Sequence, residues 1–292
     1  MPRRILNLAG PVFEGTSVVL QQALSNQPEP RRSTVQSVER ALRLLSLFAP
    51  SAMQTEPHRS QRSVTELAKA TGLHKSVVAR LMTTMAGEGF VVQDPNTKTY
   101  SIGPQAFSVG NAYEAHRVLA QVARPIMEEL TNRCSRSSYL GVPAGDRYII
   151  VLRVEYPGSM QEVTTIGETR PYHANAIGKI LLAGMSNERI RELLGTGPLL
   201  KLTSHTIDSV ERLILEIEQV RRTGIAFIRE ETTQGIGAAA AGVCDRSGEC
   251  VAGLSLLFPI VMPESEIQAL GRVLAEAANT ISNRLGAAVQ NA

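Results

Sequence analysis

The chain has 292 residues, 43% hydrophobic and 20% charged, with a formal net charge of +3 and three cysteines. That length suits two domains with real cores, and no stretch approaches the ~18 apolar residues a membrane span needs. Cys134, Cys244 and Cys250 are odd in number and without metal-ligand spacing, which argues against a disulfide scaffold or a metal site; a reduced, cytoplasmic protein with buried free thiols is expected.

From the start of the chain, Arg3-Arg4 before ILNLAG imitates a secretory signal, but Gly10, Pro11 and Glu14 interrupt the apolar run. Residues 1–32 end in the linker-like NQPEPRR and are expected to be a disordered tail. VQSVERALRLLSLF, Val35 to Phe48, predicts a helix with Val38, Leu42, Leu45 and Phe48 inward, Ala41 and Leu44 widening that stripe. Pro50 to Arg62 is polar, carries two prolines and reads as a loop.

Ser63 to Ile102 is the stretch most informative about function. Ser63 and Glu66 have capping-box spacing, which starts a helix near Val64, and Gly72 offers the left-handed conformation that ends it. In the next helix Val78, Leu81, Met82 and Met85 recur at helical spacing, leaving His74, Lys75, Ser76, Ala79, Arg80 and Thr83 on the solvent side. Phe90-Val91-Val92, Asp94-Pro95-Asn96 and Thr99 to Ile102 then form a hairpin wing that carries Lys98. A short-chained basic helix can enter a DNA major groove while the wing reaches flanking phosphate. Residues 1–104 hold 12 Lys/Arg against 7 Asp/Glu, net +5, and the remaining 18 against 20 give −2. The basic half is therefore the half with the helix-turn-helix, as a polyanion partner requires.

Beyond Pro104 the helical period runs through Phe107, Val109, Ala112, Val118, Val122, Ile126 and Leu130, interrupted at Pro125. Strands are expected at Ser138 to Val142, Arg147 to Val154 and Glu162 to Ile166, then helices from Asn175 and around Glu188 to Leu194. Asp208 and Glu211 repeat the capping-box spacing before a helix to Arg222. Strands return at Ile225 to Phe227, Ala238 to Val243 and Val251 to Phe258, and Pro263 opens a last helix to about Leu285. The class is α+β, one antiparallel sheet flanked by helices.

Four segments, VQSVERALRLLSLF, ELAKATGLHKSVVARLM, PYHANAIGKILLA and RRTGIAFIREETTQGIGAAAAGVCDRSGECVAGLSL, resemble in order and spacing the IclR family of bacterial transcriptional regulators, over Thr34 to Leu285. The resemblance implies a winged helix-turn-helix DNA-binding domain at 33–103, a linker helix at 104–122 and a GAF-like effector-binding domain at 123–287. It also implies a homodimer or dimer of dimers on double-stranded operator DNA, and a small-molecule effector such as an organic or aromatic acid. The tail and the loop 50–62 are extra to the usual pattern, and Ala238 stands where members often carry Cys or Ser.

An effector pocket is expected where the amides of Ala176, Ile177 and Gly178 open a helix after Asn175, since unsatisfied donors and the helix dipole favour a carboxylate. Ile236, Ala238 and Leu257 would supply its apolar wall and Ser255 a polar contact. His173, Lys179, Glu230, Glu231 and Cys244 make no catalytic constellation, and adjacent carboxylates on one strand point opposite ways. No P-loop or dinucleotide fingerprint is present, so neither cofactor nor metal is expected. The alternative reading is a GAF-like small-molecule-binding enzyme, such as a hydrolase, with an appended DNA-binding domain; a third is a DNA-binding scaffold that senses nothing.

Overall fold

The computed structural model describes residues 35–49, 61–111, 114–159 and 164–286. The expected tail at 1–32 and all of the loop 50–62 except Gln61 and Arg62 lie outside them. Helices α1 (Gln36–Ser46), α2 (Val64–Thr71) and α3 (Lys75–Gly87) precede a wing of β1 (Val91–Gln93) and β2 (Tyr100–Ile102). Leu44, Phe48, Leu67, Val78, Met82, Val91 and Tyr100 form their common core. Val38 and Leu42, expected inward, are 54% and 59% exposed. Among the described residues it is the C-terminal half of α1 that neighbours cover, so the inward face comes down to Ala41, Leu44, Leu45 and Phe48.

Helices α4 (Pro104–Asn111) and α5 (Glu114–Cys134) follow. Pro125 lies inside α5 rather than interrupting it. Losing one ladder bond costs roughly 3 kcal/mol, and burial of Ala123, Ile126, Met127 and Leu130 around the proline offsets it. A boundary at 122/123 would cut this one helix, and Leu119 already packs in the C-terminal core.

The second unit is a six-stranded antiparallel sheet ordered β5-β4-β3-β8-β7-β6, comprising β3 (Ser138–Ala144), β4 (Arg147–Val154), β5 (Thr169–Pro171), β6 (Ile225–Arg229), β7 (Ile236–Cys244) and β8 (Cys250–Pro259). The strand expected at Glu162 to Ile166 is instead β5: Thr164 and Thr165 are outside any strand, Ile166-Gly167 forms a turn with Gly167 at φ 87°, and Glu162 and Val163 lie outside the described residues. Helices α6 (Ala176–Ala183), α7 (Asn187–Leu194) and α8 (Val210–Thr223) cover one face, and α5 with α9 (Glu264–Arg284) covers the other. The cap of α8 is Ser209, whose hydroxyl accepts from the Arg212 amide, not the expected Asp208, which pairs with Lys201 and Arg212.

Alternation along β7 explains how one alanine-rich strand serves two cores. Ala239, Ala241 and Val243 pack towards α5 and α9, while Ala238 and Ala240 pack towards α6. Small side chains let helices approach closely on both sides. Gly253 on β8 admits Ile177 and Ile180 of α6, whose atoms lie 3.0 and 2.9 Å from where a Cβ would stand.

Candidate functional site

Among the described residues, two places gather the side chains expected of a site. In the first, the Ser63 hydroxyl accepts from the Glu66 amide at 3.2 Å while the Glu66 carboxylate accepts from the Ser63 amide at 2.7 Å, fixing the start of α2. Gly72, at φ 71°, ends it and directs the chain into α3. His74 is the N-cap of α3, its Nδ1 lying 2.8 Å from the Ser76 hydroxyl. Val78, Met82 and Met85 are buried, which leaves His74, Lys75, Ser76, Arg80 and Thr83 exposed together on the opposite side. Lys75 and Arg80 have no ion-pair partner among the described residues. The Thr83 hydroxyl donates to the Ala79 carbonyl at 3.0 Å, so it presents an acceptor outward.

The wing tip is built by Asp94, whose carboxylate accepts the amides of Asn96 and Thr97 at 2.7 and 3.0 Å. The Thr97 amide, then that of Asn96, holds the Asp94 carboxyl below its ordinary pKa. Lys98 is exposed at φ 58° and its amide donates to Asp94. Sequence reading missed one contact here: Arg62 exchanges two backbone bonds with Tyr100, at 2.9 and 2.8 Å, so the segment entering α2 pairs with the wing.

The second place is a cavity between the sheet and the start of α6. Tyr139, Tyr148, Ile150, Ile228, Ser255 and Leu257 come from the sheet, and Asn175, Ala176 and Ile177 from the helix start. Of the expected residues Ala176, Ile177, Ile236, Ala238, Ser255 and Leu257 surround it, and Gly178 does not. A Cβ on Gly178 would lie 2.0 Å from the Tyr172 carbonyl oxygen, so its role is to let the chain before α6 cross the helix. Asn175 sits at the N-cap position without capping: its amide donates to Pro171, and its oxygen accepts from the Thr232 hydroxyl. None of the first-turn amides therefore has an acceptor on that side chain.

Sequence reading also missed the polar groups around the cavity, Thr164, Arg170, Thr232 and Thr233. Arg170 is 4% exposed; its guanidinium donates to Glu168 at 3.0 and 3.1 Å and to the Thr164 hydroxyl at 2.9 Å. The only signal was the sequence ETRP, one charge on each side of a threonine, which reads as readily as surface. The space is small. About 450 Å³ is free of atoms, including the mouth, but only about 30 Å³ admits the centre of a water molecule. That holds roughly two waters, so an organic acid requires the walls to part.

The titratable groups beside it are structural. Lys179 is fully buried with Nζ 2.5 Å from Glu216 and 2.6 Å from Glu231. Burial pushes the Glu231 carboxyl up, against the pull of Lys179. Glu230 and Glu231 diverge, but not as strand neighbours: β6 ends at Arg229, and Glu230, at φ 56°, accepts the Gly235 amide at 2.8 Å while Glu231 meets Lys179. His173 lies 2.8 Å from the Leu200 carbonyl, and burial holds its pKa below the ordinary value. Among the described residues no three His, Cys, Asp or Glu side chains are grouped to hold a metal, and no helix is long and apolar enough to cross a membrane.

Comparison with known proteins places both units. Residues 37–95 match the IclR helix-turn-helix domain, and residues 111–283 match the bacterial transcriptional regulator IclR C-terminal domain. The chain is 31% identical to the HTH-type transcriptional regulator KdgR of Dickeya chrysanthemi over 224 residues, 76% of this chain and 73% of that protein. It is 30% identical to the transcriptional repressor IclR of Escherichia coli over 260 residues, 88% and 92% of the two chains. Its fold resembles that of an IclR homolog from Microbacterium hydrocarbonoxydans complexed with 4-hydroxybenzoate, at TM-score 0.73 and 20% identity, covering 85% of this chain and 98% of that one.

Proposed function

The chain belongs to the IclR family of DNA-binding transcriptional regulators, and on that premise we propose that α3 reads an operator whose occupancy is set by a small organic acid in the α6 cavity. Arg80 and Lys75 reach base edges and phosphate from the major groove, and His74, Ser76 and Thr83 add short polar contacts. Lys98 on the wing meets flanking backbone phosphate. The observation that carries this reading is the joint exposure of these residues on one face of α3 while the opposite face is buried.

A single winged helix reads only a few base pairs, so the working form is a homodimer or a dimer of dimers on an inverted repeat. The first-turn amides of Ala176 and Ile177 and the Ser255 hydroxyl hold the effector carboxylate, and Ile236, Ala238 and Leu257 hold its apolar body. A ligand complex in a relative of the same fold supports an acid of this class. Because the cavity has room for so little, the ligand selects a conformation with α6 displaced, and regulation follows if that conformation favours one spacing of the winged helices. The protein acts where its DNA is, in the cytoplasm.

Footprinting on the DNA flanking its own gene, with and without a panel of organic acids, tests the proposal. A protected inverted repeat whose occupancy responds to one acid supports it. Protection that no acid alters leaves a DNA-binding scaffold without an effector, and turnover of an acid or ester would move the domain to the enzyme class.

A further inference from the structure

Outside both sites, the β7–β8 hairpin carries two thiols at one end. Cys244 stands directly across from Cys250 in the strand register, beside a bulge between Val243 and Cys244 that leaves Val251 unpaired. Directly opposed residues of antiparallel strands have Cα atoms roughly 4.5 to 5.5 Å apart, inside the roughly 4.4 to 6.8 Å that a disulfide spans. The two thiols are near enough to perturb each other's ionisation, and the Cys250 thiol lies 3.6 Å from the Ala252 carbonyl. Cys250 also packs with the core beneath α6: its Sγ lies 3.9 Å from the Ile180 carbonyl, and its Cβ 3.0 Å from where a Cβ on Gly184 would stand. On the other side the Cys244 amide donates to the Ser282 hydroxyl of α9 at 2.9 Å.

We propose that Cys244 and Cys250 form a peroxide-reactive dithiol that closes to an intramolecular disulfide and ties the β7–β8 hairpin beneath α6.

The electrostatics agree with the geometry. The neighbouring Cys250 thiol brings Cys244 down to about 7, while Cys250 is pushed well above the ordinary thiol value, first by Cys244 beside it and then by burial. Asp245 and Glu249 of the hairpin oppose ionisation; α6 meets the pair with Ile180 and Gly184, and α9 with the Ser282 hydroxyl. Cys244 is therefore the attacking sulfur and Cys250 the resolving one. The Cys244 thiolate takes the terminal oxygen of a hydroperoxide, breaking the O–O bond and releasing an alkoxide that is protonated to the alcohol. Cys250 then gives up its proton and attacks the Cys244 sulfenic sulfur, expelling hydroxide, which leaves as water. Overall, two thiols and one hydroperoxide become one disulfide, one alcohol and one water. Cys134 stands apart, because burial raises its thiol pKa.

The test uses the full chain and tert-butyl hydroperoxide, read by thiol counting and peptide mapping. One equivalent should remove two thiols and join Cys244 to Cys250 within one chain, leaving Cys134 free. Cys250→Ser should stop at a sulfenic acid on Cys244 that dimedone traps, and Cys244→Ser should leave Cys250 unreacted. With peroxide omitted, iodoacetamide should label Cys244 on the order of tenfold faster than Cys134 at pH 7, with an inflection near pH 7. A disulfide to Cys134 or between chains overturns the proposal. So does a folded Cys250→Ser protein, judged by circular dichroism, in which Cys244 resists dimedone after peroxide.

Discussion

Tyr139 on β3 and Ser255 on β8 are paired across the centre of the six-stranded sheet, and both border the cavity beneath α6. Their strands come from opposite ends of the C-terminal unit in sequence, so the cavity floor exists only once the whole sheet has closed. Ser255 is buried there among neighbours that are mostly apolar, so its hydroxyl is a lone polar group on that stretch of the sheet's wall.

Ser255→Ala is expected to weaken effector binding by about 1 to 2 kcal/mol while ligand-free operator binding stays unchanged. Ala238→Phe should abolish the response, because the side chain would occupy a space that admits only about 30 Å³ of water-centre positions. Calorimetry with the acid and gel shifts without it separate the two effects. If operator binding falls in step with melting temperature for both variants, these residues serve the core and the effector binds elsewhere.

Arg80→Ala should cost about 1 to 3 kcal/mol of operator affinity and relax sequence preference at one base position per half-site. Lys98→Ala should weaken binding to operator and random DNA alike and lower the salt slope by about one. Fluorescence anisotropy across a salt series distinguishes them. Unchanged operator binding by the Arg80 variant would show that another face of α3 meets DNA.

His173 links stability to pH. Burial holds its folded pKa below the ordinary 6.5, so the unfolded chain takes up this proton more readily than the folded one. The stabilisation is present above 6.5 and is lost as pH falls through the depressed folded value. His173→Gln should flatten the acid side of the melting-temperature profile below pH 6.5. A profile as steep as the parent's would assign the acid sensitivity to other groups.

Lys179→Met should destabilise the C-terminal unit by about 3 to 5 kcal/mol, because it strands Glu216 and Glu231 beside a buried site without their cation. Adding Glu231→Leu removes the most buried of the stranded carboxylates and should recover part of the loss. Urea denaturation of the single and double variants measures it; a single variant as stable as the parent would mean water already solvates the cluster.

The helix-turn-helix was legible because its signals are local: the Ser63–Glu66 box, Gly72 and the 3.6-residue period of α3 all act within one or two turns. The same locality misleads at Val38 and Leu42, since a period says which side of a helix is apolar and not how far its neighbour extends. At Asp208 the capping pattern matched one residue early, because Ser209 offers the same chemistry. The cavity was legible in its apolar half, where strand alternation marks Ala238, Ser255 and Leu257. Its polar half was not, because Arg170 becomes part of the cavity only through a short edge strand and a buried partner two residues away. Lys179 has no local sign of burial at all; its carboxylates lie 37 and 52 residues downstream.

The backbone pairing of Arg62 with Tyr100 bears on how this protein can vary. The chain leaving α1 is pinned again at Arg62, immediately before α2 begins, so whatever lies between Ala49 and Gln61 has both of its ends fixed by the fold. Each doubling of such a segment adds only about 0.6 kcal/mol of closure entropy. An epitope or fluorophore inserted between Ala49 and Gln61 would therefore stay tethered at both ends to the N-terminal unit, and a signal from it would report on that unit rather than on the C-terminal sheet.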